Sequence, residues 1–401
     1  MAIPRYRPYE GPILLSAGFR PFFLLAALWA ALAIPLWLLT FAGENMVSSV
    51  LPATVWHAHE MVFGYGAAVV AGFLLTAIPN WTGRMPLQGG PLGGLILLWL
   101  TGRAFVLFSA SSGATFATVF DLAFPLVFLG VVTREILAGR NWRNLPMLVA
   151  LSLLLLGNCL VHAEAVGIAS TAALGNRLGV ATLIMLISLV GGRIIPSFTR
   201  NWLVRQNPDA ATPAAFDRLD HAVLAITGLA LATWVLAPNA PLTPWMEFAA
   251  GLALCVRLAR WRGAATLHEP LLWVLHLGYG WLALGFLLLG LNGIAPLLPE
   301  STALHALTVG AIGTMTLAVM TRATLGHTGR PLVAGTGTTT IYVLVTLATI
   351  LRLLAPLGGS QYMHILFVAG GAWSGAFGLF VLLYMRPLTL PPVKGEYARP
   401  I

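Results

Sequence analysis

Two histidines separated by one residue, His57 and His59, stand at the head of a long apolar run, Trp56 to Arg84, WHAHEMVFGYGAAVVAGFLLTAIPNWTGR. Imidazole binds transition metals and exchanges protons near neutrality. Placing such a group at membrane depth is costly, so it calls for a functional reason or a partner. Nearly the same frame returns as His305 to Arg330, HALTVGAIGTMTLAVMTRATLGHTGR. His59 to Arg84 spans 25 positions, as does His305 to Arg330, and the copies share Gly64 with Gly310 and a Thr-Gly-Arg ending. A weaker copy lies between them, where Pro196-Ser-Phe-Thr199 answers Pro79-Asn-Trp-Thr82.

His57 and His59 are about 200° apart around a helix, so they serve different faces. His59 aligns with His305 and is the first choice as a ligand; His57 is the second. His162 follows Asn158 by four positions and Cys159 by three, on one helix face, with Glu164 close behind. These are imidazole, thiolate and carboxylate within about one and a half turns, all possible copper ligands; an Asn158 to His162 hydrogen bond that fixes packing is the equal alternative. His276, beside Tyr279 and Trp281, and His364, at the head of the last apolar run, are further metal candidates. Arg103 and Arg352 lie inside apolar runs and require buried carboxylate partners. Glu60 and Glu164 are the acids placed to relay protons, and Asp121 is another acidic residue within a span.

The elements that position these residues are transmembrane helices. With 58% hydrophobic and 9% charged residues and a mean hydropathy of +0.86, the chain is a polytopic membrane protein. The net charge of +9 reflects arginines in short loops rather than a nucleic-acid surface, since no basic stripe is interleaved with aromatics. Cys159 and Cys255 are too few for a disulfide framework. Runs of about 20 apolar residues number about twelve. Their approximate limits are 19–41, 56–79, 92–110, 115–138, 146–168, 176–199, 219–238, 244–262, 270–292, 302–323, 338–356 and 363–385. Arginine and lysine gather at alternate ends, from Arg5, Arg7 and Arg20 at the start to Arg386, Lys394 and Arg399 at the finish. The positive-inside rule then places both termini in the cytoplasm and the His57, His59 and His305 ends outside.

The repeat exceeds one helix. Pro21, Pro146 and Pro270 open the first, fifth and ninth helices, 125 and 124 residues apart. The expectation is an all-α bundle, one integral membrane domain over 1–401, in three pseudo-equivalent groups of four helices, roughly 19–142, 143–263 and 264–386. An even number of helices per group preserves orientation, which differs from the inverted repeats of many transporters.

A twelve-helix, threefold arrangement with histidines on the second and tenth helices resembles the catalytic subunit of haem-copper oxidases and bacterial nitric oxide reductases, in which those helices carry axial haem ligands. A closer resemblance is to the NnrS family. It rests on Phe19-Arg-Pro-Phe-Phe23, Trp56-His-Ala-His-Glu-Met61, Asn80-Trp-Thr-Gly-Arg84, His276-Leu-Gly-Tyr-Gly-Trp281 and Met320-Thr-Arg-Ala-Thr-Leu-Gly-His-Thr-Gly-Arg330. It implies a bacterial inner-membrane protein that contains haem, of b type, and copper, and that takes part in nitric oxide metabolism and nitrosative stress. On this reading His59 or His57 with His305 holds haem, Arg352 or Arg103 meets a propionate, and His162 with His276 serves a second metal centre. Nitric oxide or another small gas is the substrate or ligand, the bilayer is the solvent, and the electron donor is unspecified. Where the oxidases place copper histidines, the sixth helix here has Asn176 and the seventh only His221, at the opposite end. Any dinuclear site is therefore built differently. Three classes stand: a haem-dependent redox enzyme, a non-catalytic protein that scavenges, senses or hands on metal or nitric oxide, and a secondary transporter.

Overall fold

The computed structural model describes residues 9–393. Arg5, Arg7, Lys394 and Arg399, used in the orientation argument, lie outside the described residues. Within them the chain is helical and contains no strand. Twelve main helices follow in order: α1 Phe19–Phe41, α2 Ala53–Thr82, α3 Gly90–Leu107, α4 Ala114–Ala138, α5 Leu145–Ala165, α6 Ala172–Gln206, α7 Arg218–Leu236, α8 Thr243–Ala259, α9 Pro270–Ile294, α10 Glu300–His327, α11 Thr336–Leu354 and α12 Tyr362–Thr389. Each coincides with an apolar run of the sequence. By length and hydropathy ten segments qualify as membrane spans among the described residues. The difference from twelve has two sources. Helix α8 has only 17 residues, and α11 and α12 follow one another across a bend at Gly359, which takes a positive φ of 52°. The protein is thus an all-α, multi-pass membrane protein.

Local chemistry explains where the repeated helices stop. The Thr-Gly-Arg endings place Gly83 and Gly329 at φ 69°, the left-handed conformation that closes a helix without steric cost to glycine. The threonine before each glycine turns its hydroxyl back onto the last turn, Thr82 to the Ile78 carbonyl at 2.9 Å and Thr328 to the Thr324 carbonyl at 2.6 Å. Pro146 and Pro270 occupy the opening positions of α5 and α9, and Pro21 lies in the first turn of α1, where a missing N–H leaves no bond unmade. Helices α2, α6 and α10 each contain a π-helical stretch, Glu60–Gly66, Ile187–Gly191 and Ala306–Gly313. These are the three helices that carry the repeated frame of the sequence.

Contacts gather into two compact units. Among the described residues the first comprises 9–179, 323–331 and 380–393; the second comprises 180–322 and 332–379. In the first, buried Arg20 at the start of α1 donates from Nη1 to the carbonyls of Pro387, Leu388 and Leu390, at 3.2, 2.9 and 3.0 Å. A cation there satisfies the open carbonyls that end α12 and complements the negative end of the helix. Arg20→Ala is expected to free the segment after Pro387: protease cutting near 388–393 should rise several-fold, while cutting elsewhere stays as in the parent. In the second unit, Gly313 lets α10 approach α12, since a Cβ there would lie 2.6 Å from the Trp373 ring.

Candidate metal centre

The first half of α2 turns His59 and Glu60 inward, and both side chains are fully buried, at 0% exposure. The turn that follows is π-helical, which releases backbone groups from the regular ladder. The Gly64 carbonyl there accepts from Trp99 Nε1 at 3.1 Å. Helix α3 brings Arg103, and α4 brings Asp121. Gly102 lets them close, because a Cβ at that position would stand 3.0 Å from both Cα and Oδ1 of Asp121. Helix α5 supplies Asn158 and His162, one turn apart on the same face. It can approach because Gly157 packs on Gly175 of α6, where a Cβ on either would meet the other's carbonyl oxygen within 3 Å.

These side chains form one network. Arg103 Nη1 donates to both oxygens of Glu60 at 2.7 Å, and Nη2 donates to Asp121 Oδ1. Trp29 Nε1 donates to Glu60 Oε2 at 2.7 Å. His59 Nδ1 lies 3.0 Å from Glu60 Oε1. Its Nε2 lies 2.9 Å from Asn158 Oδ1 and 3.1 Å from Asp121 Oδ2. Asp121 Oδ2 also receives Asn158 Nδ2 and faces His162 Nε2, both at 2.8 Å. His162 Nδ1 lies 3.2 Å from the Thr118 hydroxyl. The two imidazoles meet edge to face, with ring centroids 5.3 Å apart. One ligand atom each from His59, Asp121 and His162 falls within 4.8 Å of the others, a spacing a metal ion could close.

The network gathers His59, Glu60, Arg103 and His162 from the sequence candidates, and adds Asp121, which accepts from Arg103 and faces both imidazoles. Arg103 finds its carboxylates in the protein itself. Asn158 and His162 share a helix face as their spacing requires, and both turn to Asp121. Cys159 stays half-buried outside the network. Glu164 is exposed and accepts from the Ala172 backbone N–H at 2.8 Å, so it caps the start of α6. His57 is half-buried and stacks on Trp37 at 4.2 Å between centroids.

The remaining candidates belong to the second unit and have other neighbours. His305 is half-buried, with Nδ1 against the Ser301 carbonyl. His276 bonds through Nε2 to the Thr199 hydroxyl at 3.0 Å, beside Gly263, where a Cβ would lie 2.8 Å from Nδ1. Its neighbours are not those of His162. His364 is exposed. Arg352 is 8% exposed, and its Nε and Nη1 have no hydrogen-bond partner among the described residues. Arg322 lies over the Phe198 ring at 4.1 Å.

Sequence reasoning missed a second buried ion pair. Arg257, 0% exposed, donates through Nε to Asp220 at 2.8 Å and through Nη1 to the Ser188 carbonyl and the Tyr279 hydroxyl at 3.0 and 2.9 Å. Asp220 opens α7 and Arg257 ends α8, so each passes for an ordinary helix-end charge. The detectable signal was their place on the apolar faces of adjacent helices.

Comparison with protein families matches residues 13–391 to the NnrS protein family, nearly the whole chain. The chain belongs to the NnrS family. The match takes in all the residues of both buried networks, so the geometry above is that of an NnrS protein throughout. No match was found among curated proteins.

Proposed function

We propose that this NnrS protein is a membrane redox protein that acts on nitric oxide, in the detoxification that nitrosative stress demands. The observation that carries the reading is the burial of five ionisable side chains, His59, Glu60, Arg103, Asp121 and His162, inside an apolar helix bundle. Such groups are costly in a membrane protein and mark sites of function. A bundle with buried metal-capable donors suits a small neutral gas, which partitions into lipid and reaches the site without a polar channel. Reduction of two nitric oxide molecules to nitrous oxide and water takes up two electrons and two protons, so the site needs an acid within reach and an external electron donor. Glu60 Oε1 and His59 Nδ1, 3.0 Å apart, can share and pass such a proton. Arg103 holds the Glu60 carboxylate in place while it does so.

Haem bound to the chain would supply an iron that accepts electrons and binds the gas. Of the candidate ligands, His305 suits that group better than His59. Its Nδ1 lies against the Ser301 carbonyl, and it is only half-buried, as a ligand to the face of a large planar group would be. His59 has both ring nitrogens in the network and no exposure, which suits a small ion rather than the face of a macrocycle. The buried guanidinium of Arg352, whose Nε and Nη1 have no hydrogen-bond partner among the described residues, suits a propionate. The proposed setting is the bacterial inner membrane with both termini in the cytoplasm, on the distribution of arginines.

Anaerobic nitric oxide consumption by the purified protein with a chemical reductant, together with its optical spectrum, tests the reading. A Soret band that moves on adding nitric oxide, lost in His305→Ala, and gas consumption above that of detergent alone are the expected results. A spectrum without haem and no consumption would sink it. Haem that binds the gas without turnover would favour the scavenging or sensing alternative.

A further inference from the structure

We infer that His59, His162 and Asp121, with the amide oxygen of Asn158, form a mononuclear site for a divalent first-row transition-metal ion, separate from any haem. The inference deepens the reading above. It takes from that reading only the gas, while the ion is read from the donors themselves.

The ring tautomers come first. The Thr118 hydroxyl donates to the Ala114 carbonyl at 2.8 Å, which leaves its oxygen to accept from His162 Nδ1. Neutral His162 then carries its lone pair on Nε2, aimed at Asp121 Oδ2 2.8 Å away. His59 repeats the pattern: Nδ1 donates to Glu60 Oε1, and the Nε2 lone pair faces Asp121 Oδ2 and Asn158 Oδ1. Asn158 Nδ2 donates to one lone pair of Asp121 Oδ2 at 2.8 Å, and the other lone pair of that oxygen, the Asn158 amide oxygen and the two imidazole nitrogens converge where water has no access. Opposed lone pairs repel unless a cation lies among them.

The surroundings are those of a metal site. Metal-ligating histidines characteristically donate their second ring nitrogen to a carboxylate or another fixed oxygen, and ligating carboxylates are themselves hydrogen-bonded. Glu60 holds His59, Thr118 holds His162, and Arg103 holds the second oxygen of Asp121. The donor separations of 2.8, 2.9 and 3.1 Å are close to the roughly 3.0 Å between adjacent corners of an octahedron with bonds near 2.1 Å. Tetrahedral ligands at that bond length would sit about 3.4 Å apart. Two histidines and one carboxylate, with ligand atoms within 4.8 Å of one another, are the donor types of non-haem iron(II) sites that take small gases. Half-buried Cys159 contributes nothing to it.

Titrating chelator-treated, full-length protein in detergent with cobalt(II) alone, under anaerobic conditions, tests this without reference to turnover. The wild type should give visible ligand-field bands that saturate at one equivalent, with no thiolate-to-metal charge-transfer band. Iron(II) should compete for the same equivalent. His162→Gln and Asp121→Asn should lose the bands, Glu60→Gln should keep them with affinity lowered about 10- to 100-fold, and Cys159→Ser should match the wild type. Absence of a saturable signal in the wild type would overturn the site, leaving the lone pairs bridged by protons. So would full stoichiometry in a folded His162→Gln or Asp121→Asn protein. If neither variant elutes as the folded protein, the wild-type titration decides alone. Failure of the function reads differently: saturable cobalt binding in a protein that consumes no nitric oxide keeps the site and removes the reaction.

Discussion

Replacing Arg103 with alanine is expected to destabilise the folded protein by about 3 to 5 kcal/mol, the cost of stripping a buried ion pair of one partner. Arg103 donates to both Glu60 oxygens and to Asp121, and the two carboxylates are 0% and 1% exposed. Without the guanidinium they would share a dry pocket as adjacent negative charges, and no water could take over its bonds. The loss should appear as a large fall in the unfolding midpoint in detergent. A compensated variant separates charge from packing. Arg103→Met with Glu60→Gln removes one cation and one anion together, so it should recover a large part of the lost stability while losing the orientation of His59. Loss of less than about 1 kcal/mol in Arg103→Ala would mean that water or another cation already reaches the pocket, because exposed pairs are worth no more than that.

Gly64→Val is the second large effect. A Cβ at Gly64 would lie 2.8 Å from Glu60 Oε2, 2.9 Å from Arg103 Nη1 and 3.0 Å from Trp29 Nε1, the carboxylate oxygen and two of its donors. Overpacking a filled interior costs about 1 to 3 kcal/mol. Here the strain can be relieved only by moving charged groups that have nowhere to go. The expected result is therefore a lowered unfolding midpoint together with a shift in the fluorescence of Trp29, whose indole N–H is bonded to Glu60. Gly130→Ala in α4 is the control, because nothing lies within 4 Å of a Cβ there. It should be neutral, or stabilising by up to about 1 kcal/mol from helix propensity. Equal effects at both positions would show that glycine acts at Gly64 through the backbone alone.

The sequence alone determined the class of protein, because hydropathy over 20 residues is a property of composition and no partner is needed to read it. It also set the helix limits, through proline at the openings and Thr-Gly-Arg at the ends, whose glycines adopt the left-handed turn such an ending needs. It picked out His59, His162, Glu60 and Arg103 as residues with no reason to be in lipid unless they work or are paired. It could not say which of them meet. Asp121 lies 62 residues from His59 and 41 from His162 in the chain, and only the packing of α2, α3, α4 and α5 makes it their common partner. Repeat alignment pairs His59 with His305, since periodicity records position along a helix. The tertiary structure gives His59 the neighbours Asp121, Asn158 and His162, and gives His305 the Ser301 carbonyl. Alignment along an axis carries no information about rotation around it or about which helix lies opposite. Those two quantities fix what a buried histidine can bind, and they are set by small residues at helix crossings such as Gly102 and Gly157, whose neighbours are distant in sequence.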